Sequence, residues 1–225
     1  MPDTKDLFDK ISNHYDLLNS LFSAGIDKIW RKKLVKNIAP DSFVLDVATG
    51  TAEVLIEGFK HASVNTGFGI DPSIEMLKIG KDKLSKKNLD TKSSMLQGAA
   101  ENLPFKEATF DGITIAFGIR NTIDYNSSLK EMHRVLKTGG TLAILEFAIP
   151  RISIFTTLYL FYFKYVMPFI GSLFGNRKEY KYLSDSTTQF PQREIFKNIM
   201  EQCGFSNCEF TELSFGIAVI YTGIK

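Results

Sequence analysis

The chain has 225 residues, 44% of them hydrophobic, which suits one domain with an ample core. A net charge of +2 excludes a strongly electrostatic nucleic-acid binder. Cys203 and Cys208 fit no metal-ligand spacing and read as thiols of a reduced, cytoplasmic protein, and the Asp- and Lys-rich N-terminus lacks the apolar core of a secretory signal.

Residues 7–37 read as helices. Leu17, Leu18, Leu21 and Phe22 share one face, Gly25 breaks the pattern, and Ile26, Ile29, Trp30, Leu34 and Val35 resume it. Trp30 reads as core. Lys28, Arg31, Lys32, Lys33 and Lys36 read as a solvated basic face that an anionic membrane surface could also use. His14, Tyr15 and Asp16 gather at the start of the first helix, where helix capping and a lid folded over a ligand are both open.

Residues 43–54 organise the rest. Phe43 to Val47 is a buried parallel strand carrying a carboxylate, Asp46, and it breaks into Ala48-Thr49-Gly50-Thr51-Ala52, residues small enough for a sharp turn and close ligand approach. Helical pattern resumes at Glu53. A dinucleotide loop needs G-x-G-x-x-G, but here only Gly50 is glycine, and Asp46 would repel a pyrophosphate. An acid there suits a ligand carrying an ammonium and a sulfonium, and the loop resembles motif I of the S-adenosylmethionine-dependent methyltransferases. The next strand, 64–70, ends at Asp71, where a carboxylate can accept both hydroxyls of a ribose. Asp71 could instead N-cap the helix that starts at Ser73; its spacing from Asp46 favours the ribose.

Further strands are expected at 93–97, 111–117, 141–147, 205–212 and 216–223, and helices at 52–60, 73–87, 125–137 and 192–203, with more helix in 154–189. Alternating strands and helices imply a parallel, doubly wound α/β sheet. Ser214-Phe215-Gly216 is too short for a crossover helix, so the last two strands pair antiparallel. Gly98 to Phe105 turns at Pro104; it is either a backbone edge for an adenine or an ordinary surface turn. The fourth strand ends in Gly118-Ile119-Arg120-Asn121, at the carboxyl edge where open α/β sheets bind ligands. Arg120 in so apolar a setting needs a partner or a substrate, and Asn121 is a site residue or a helix cap. His133 reads as a packing residue, His61 as exposed, and His14 as an acid–base candidate. No nucleophile or metal pattern competes.

Residues 152–174 form the most apolar stretch. Lys164 and Pro168 interrupt it, leaving runs short of the roughly 20 residues a membrane span needs. Its surplus of aromatics suits an apolar pocket or an interfacial contact. An isoprenoid tail could bind there at about 0.8 kcal/mol for each buried methylene.

Taken together, several stretches resemble the ubiquinone/menaquinone biosynthesis C-methyltransferase family. They are Tyr15-Asp16-Leu17-Leu18-Asn19 with Ser23 and Trp30; Ala116-Phe117-Gly118-Ile119-Arg120-Asn121; Arg134-Val135-Leu136-Lys137-Thr138-Gly139-Gly140 running to Leu145-Glu146-Phe147; and Tyr182 to Ser186 with Phe190-Pro191. The resemblance implies a Rossmann-like, class I S-adenosylmethionine-dependent fold, with a seven-stranded, mostly parallel sheet, one antiparallel strand and an N-terminal helical lid. Its parts would be a lid at 1–40, a cofactor-binding core at 41–150, an apolar substrate cap at 151–190, and a C-terminal helix with an antiparallel hairpin at 191–225.

Carried over residue by residue, the resemblance implies that Asp46, Gly50 and Thr51 hold the methionine part of S-adenosyl-L-methionine. Asp71 would take the ribose, Ala99 and Ala100 would flank the adenine, and Ala116 would complete the cofactor site. Arg120, Asn121 and Tyr15 would face a prenylated quinol ring. The sequence departs from the family at several places. Thr49 and Ala52 replace loop glycines, which predicts a tighter turn, and Ala99 replaces a polar residue that reaches the adenine amine. Asp27 stands for a histidine, Thr138 for a proline and Ala148 for a serine. The favoured reaction is methylation of demethylmenaquinol. The alternatives are a ubiquinone-pathway benzoquinol, another small apolar or phenolic acceptor, and a non-enzymatic binding domain. Neither nucleic acid nor metal is implied, whereas peripheral contact with the inner membrane face and self-association are both compatible with the sequence.

Overall fold

Alternating apolar runs and small-residue turns give the described residues one open sheet. The computed structural model describes residues 9, 12, 23, 25–61, 63–151 and 185–225. Tyr15, all but residues 9 and 12 of the helix expected over 7–22, and residues 154–184 of the helix expected over 154–189 lie outside those residues. In sequence order the described elements are α1 (Asp27–Val35), β1 (Ser42–Val47), α2 (Glu53–Lys60), β2 (Val64–Asp71), α3 (Ile74–Lys86), β3 (Ser93–Gln97) and β4 (Phe110–Ala116), followed by α4 (Tyr125–Val135), β5 (Leu136–Phe147), α5 (Glu194–Gln202), β6 (Ser206–Leu213) and β7 (Ala218–Ile224).

The seven strands run in the order β3-β2-β1-β4-β5-β7-β6. Neighbours from β3 to β5 are parallel, and β7 lies antiparallel to both β5 and β6. Strand β1 is covered on both faces, which explains its unbroken apolar run. Edge strand β6 exposes most of its residues. The order in which strands are added reverses between β1 and β4, the place where open α/β sheets form a crevice beyond their strand ends.

One boundary moves. Strand β5 begins at Leu136, directly after α4, rather than at 141 as the pattern predicts. Leu136 pairs with Phe110 before the register shifts, and Gly139 adopts φ +80°. Gly140 is needed by contact: an added Cβ would lie 2.8 Å from the Asp111 carbonyl oxygen.

The core has two sides. On one, Phe43, Phe68, Phe105 and Phe110 pack at centroid separations of 4.8–6.2 Å. On the other, Trp30 packs against Phe117 and Phe147, which stack at 4.4 Å, and its indole N–H donates to the Ser214 hydroxyl. Trp30 is therefore core, as expected. The basic face of α1 is solvated at Lys28, Lys32, Lys33 and Lys36, but Arg31 is buried and turns inward, a correction to the sequence reading. Position 31 follows Trp30 on the inward side of the helix and finds Asp27 one turn back.

Candidate active site

Small residues let the β1–α2 loop turn on alternating left-handed positions: Ala48 at φ 51°, Gly50 at 52° and Ala52 at 64°. Two carboxylates hold it. The Thr49 and Thr114 hydroxyls each donate to Asp46 at 2.7 Å. The Gly50 N–H donates to Asp71 at 2.9 Å and the Ser73 N–H to its other oxygen at 2.8 Å. Helix α3 is capped by Ser73, whose hydroxyl accepts the Met76 N–H, so Asp71 is released from the N-cap role and stands on the crevice wall. The same Ser73 hydroxyl donates to Asp9.

Burial governs both acids. It pushes the Asp46 carboxyl up to about 7, against the lowering effect of its two threonine hydrogen bonds. It raises Asp71 to about 6, opposed by the Ser73 and Gly50 N–H groups. Asp46 is 1% exposed and does not line the crevice; it acts from beneath the loop.

That packing is tight. A Cβ on Gly69 of β2 would fall 2.7 Å from Thr49 Cγ2 and 2.9 Å from its hydroxyl. Gly69→Ala is accordingly expected to push Thr49 off Asp46 and destabilise the fold by about 1–3 kcal/mol. A urea midpoint equal to that of the parent protein would show that the loop yields freely.

The crevice encloses about 300 Å³ and is lined by Gly50, Thr51, Asp71, Ala99, Ala100 and Ala116 among others, bringing together six of the seven expected cofactor residues. Thr51 faces it while its hydroxyl accepts from Lys83 at 3.1 Å. The loop bearing Ala99 and Ala100 is fastened to α4: Glu131 accepts the Leu103 N–H, and Arg134 donates to the Leu103 and Phe105 carbonyls. Across the mouth, Glu101 accepts the Ile123 N–H at 2.7 Å.

At the other end, β4 delivers Phe117 to Asn121. Gly118 allows a close crossing, since its Cβ would lie 2.5 Å from that of Ala48. Asn121 lines the crevice and its amide donates to the Phe117 carbonyl at 3.1 Å. Arg120 does not line it. Its guanidinium pairs with Glu146 at the end of β5, both side chains at most 3% exposed, and lies 5.5 Å from the Phe147 ring centroid. Glu146 also accepts the backbone N–H groups of Arg120 and Phe147. Arg120 thus finds a protein partner where the sequence left partner and substrate open.

Of the histidines, His133 packs edge-on against Phe205 as expected, whereas His61 is half-buried and pairs with Glu57 rather than lying exposed. Cys203 and Cys208 are buried free thiols, and burial raises the latter to about 11. Several residues that shape the site escaped the sequence reading: Thr49 and Thr114 under Asp46, Glu131 and Arg134 behind the loop that bears Ala99 and Ala100, and Arg31 on the crevice wall. A threonine in the middle of an apolar strand, as Thr114 is, was the one available signal.

An open sheet of this order, with acids at the tips of β1 and β2 beside a small-residue turn, is the Rossmann-like fold of the class I S-adenosylmethionine-dependent methyltransferases. A possible histamine N-methyltransferase of Thermotoga maritima shares that fold, with a TM-score of 0.71 at 21% identity, covering 98% of this protein and 99% of that one. The chain belongs to the ubiE/COQ5 methyltransferase family, whose model matches residues 2–225. It is 46% identical to the ubiquinone/menaquinone biosynthesis C-methyltransferase UbiE of Geotalea daltonii, over 98% of its own length and 95% of that relative. It is 40% identical to the demethylmenaquinone methyltransferase of Porphyromonas gingivalis, over 97% and 91%.

Proposed function

We propose that this protein methylates a ring carbon of a prenylated quinol, converting demethylmenaquinol to menaquinol with S-adenosyl-L-methionine as methyl donor. The observation that carries the reading is convergence: Gly50, Thr51, Asp71, Ala99 and Ala100 meet in one crevice that ends at Asn121. Family membership narrows the chemistry to methyl transfer in quinone biosynthesis, and the relatives named demethylmenaquinone methyltransferase favour the naphthoquinol.

The residues fit the cofactor. Gly50 faces open space, Ala99 and Ala100 line the wall with no side-chain atom beyond Cβ to obstruct a flat base, and Asp71 offers a carboxylate at the rim. Bound there, the cofactor supplies a methyl group already activated on sulfonium. The protein's task is then to hold a ring carbon in line and to favour the phenolate that pushes electron density onto it. Asn121 is placed to touch the acceptor, and the resemblance of Tyr15-Asp16-Leu17-Leu18-Asn19 to the family assigns Tyr15 to the same ring. Arg120 serves as a positioning residue, holding the Phe117–Asn121 turn through Glu146. A water removes the ring proton.

Among the described residues no helix is long and apolar enough to cross a membrane. A bilayer-dwelling acceptor must nevertheless reach the crevice, and Ile123 at its mouth is 89% exposed. Peripheral contact with the inner leaflet, aided by the apolar run at 152–174, completes the proposal.

The test is direct. Purified protein, S-adenosyl-L-methionine and reduced demethylmenaquinone should give a lipid heavier by one methylene. A gain with the benzoquinol alone would move the assignment to the ubiquinone pathway, and no gain with either quinol would refute it.

A further inference from the structure

We infer that Arg31 anchors the carboxylate of the cofactor's methionine half, an assignment that rests on the cofactor reading above. Around the crevice the charge is one-sided. Glu53, Asp71 and Glu101 line it and Asp46 lies beneath; Lys83, outside the lining, pairs with Glu53, and Arg31 is the one cation among the described lining residues. Such a wall attracts an ammonium and a sulfonium but repels the carboxylate that the same ligand carries. A cation must offset that repulsion.

Arg31 is built for the task. It is 7% exposed, so little water competes for its charge. Asp27 accepts from Nη1 and is itself fixed by the Ser23 hydroxyl at 2.8 Å. The guanidinium lies 5.8 Å from the Phe117 ring centroid. Nη1 is thereby committed, while Nε and Nη2 make no hydrogen bond among the described residues. These two nitrogens are the fork that matches a carboxylate. Asp27, where the family resemblance leads one to expect histidine, holds the side chain in place as a positioning residue.

Calorimetry on the full-length protein with two ligands tests the inference: S-adenosyl-L-methionine and its decarboxylated analogue. The parent should prefer the carboxylated ligand. Arg31→Gln should weaken it by ~10- to 100-fold yet bind the decarboxylated analogue as tightly as the parent, or more tightly. Retained binding of the analogue also reports an intact fold. Arg31→Lys, which keeps the charge and loses the fork, should fall between, and carries the test if the glutamine variant does not fold. Equal losses for both ligands, or no loss for either, would overturn the assignment; so would an unchanged cofactor affinity with a raised KM for quinol, which would place Arg31 on the acceptor. If the parent binds neither ligand, the cofactor reading itself falls and the inference with it.

Discussion

Arg120→Met is expected to destabilise the protein by about 3–5 kcal/mol, because it leaves the Glu146 carboxylate buried without its counter-charge. For a protein of this length that corresponds to a fall in melting temperature on the order of 10 °C. Burial already raises the Glu146 pKa, and the Arg120 guanidinium opposes that rise. Without the guanidinium the folded state should bind a proton there more avidly than the unfolded state does. The penalty should therefore be smallest in acid and grow as pH rises. Glu146→Gln should cost about as much and with little pH dependence: an amide oxygen can still accept from the Arg120 and Phe147 N–H groups, but the Arg120 guanidinium is left buried without a counter-charge and cannot shed its proton. The guanidinium also holds the turn that presents Asn121, so Arg120→Lys should lower turnover far more than cofactor affinity. Equal losses in the two would remove Arg120 from the acceptor end, and a urea-unfolding free energy within about 1 kcal/mol of the parent for Arg120→Met would mean that the pair is solvated.

The second large effect is a pair of opposed pH dependences. Asp46, raised from 3.8 to about 7, and Asp71, raised to about 6, hold protons in the folded state that the unfolded polypeptide has released. Their contribution to stability is complete below about pH 4 and is lost as pH rises through 6 and 7. The ligand-free protein should consequently be less stable at about pH 8 than at about pH 5, by roughly 2–4 kcal/mol from Asp46. His133, whose pKa burial lowers, acts in the opposite sense on a smaller scale, since it is partly exposed. Asp46→Asn isolates the carboxylate: its stability should be flatter with pH. Cofactor binding should run the other way. A cationic ligand favours the ionised acids, so its affinity should weaken on acidification through the same range, by up to about tenfold per pH unit for each linked proton. Calorimetry in two buffers of different ionisation enthalpy would detect proton release on binding. Proton uptake, or a parent stability no steeper than that of Asp46→Asn, would contradict this account.

Much of this was legible in the sequence. The seven strands, the antiparallel ending and the motif loop follow from period, turn residues and the length of Ser214-Phe215-Gly216, because each is a local property of the backbone. Asp71, Ala99, Ala100 and Asn121 could be placed at strand ends, and strand ends of a doubly wound sheet meet at one edge. The sequence could not say what each carboxylate does there. Whether Asp71 caps α3 depended on Ser73 taking the cap instead, a contest between neighbouring side chains that spacing does not resolve.

Pairings across the sheet were decided by tertiary structure alone. Arg120 meets Glu146 across a separation of 26 residues, and Asp46 meets Thr114 across 68. Arg31, one member of a basic run, departs from the solvated face only because α1 docks Trp30 on Phe117 and Phe147 and carries the next position inward. Local pattern determines which elements form and which edge binds a ligand. The charges that meet there are set by packing between segments remote in sequence, where burial fixes the cost of every unpaired group.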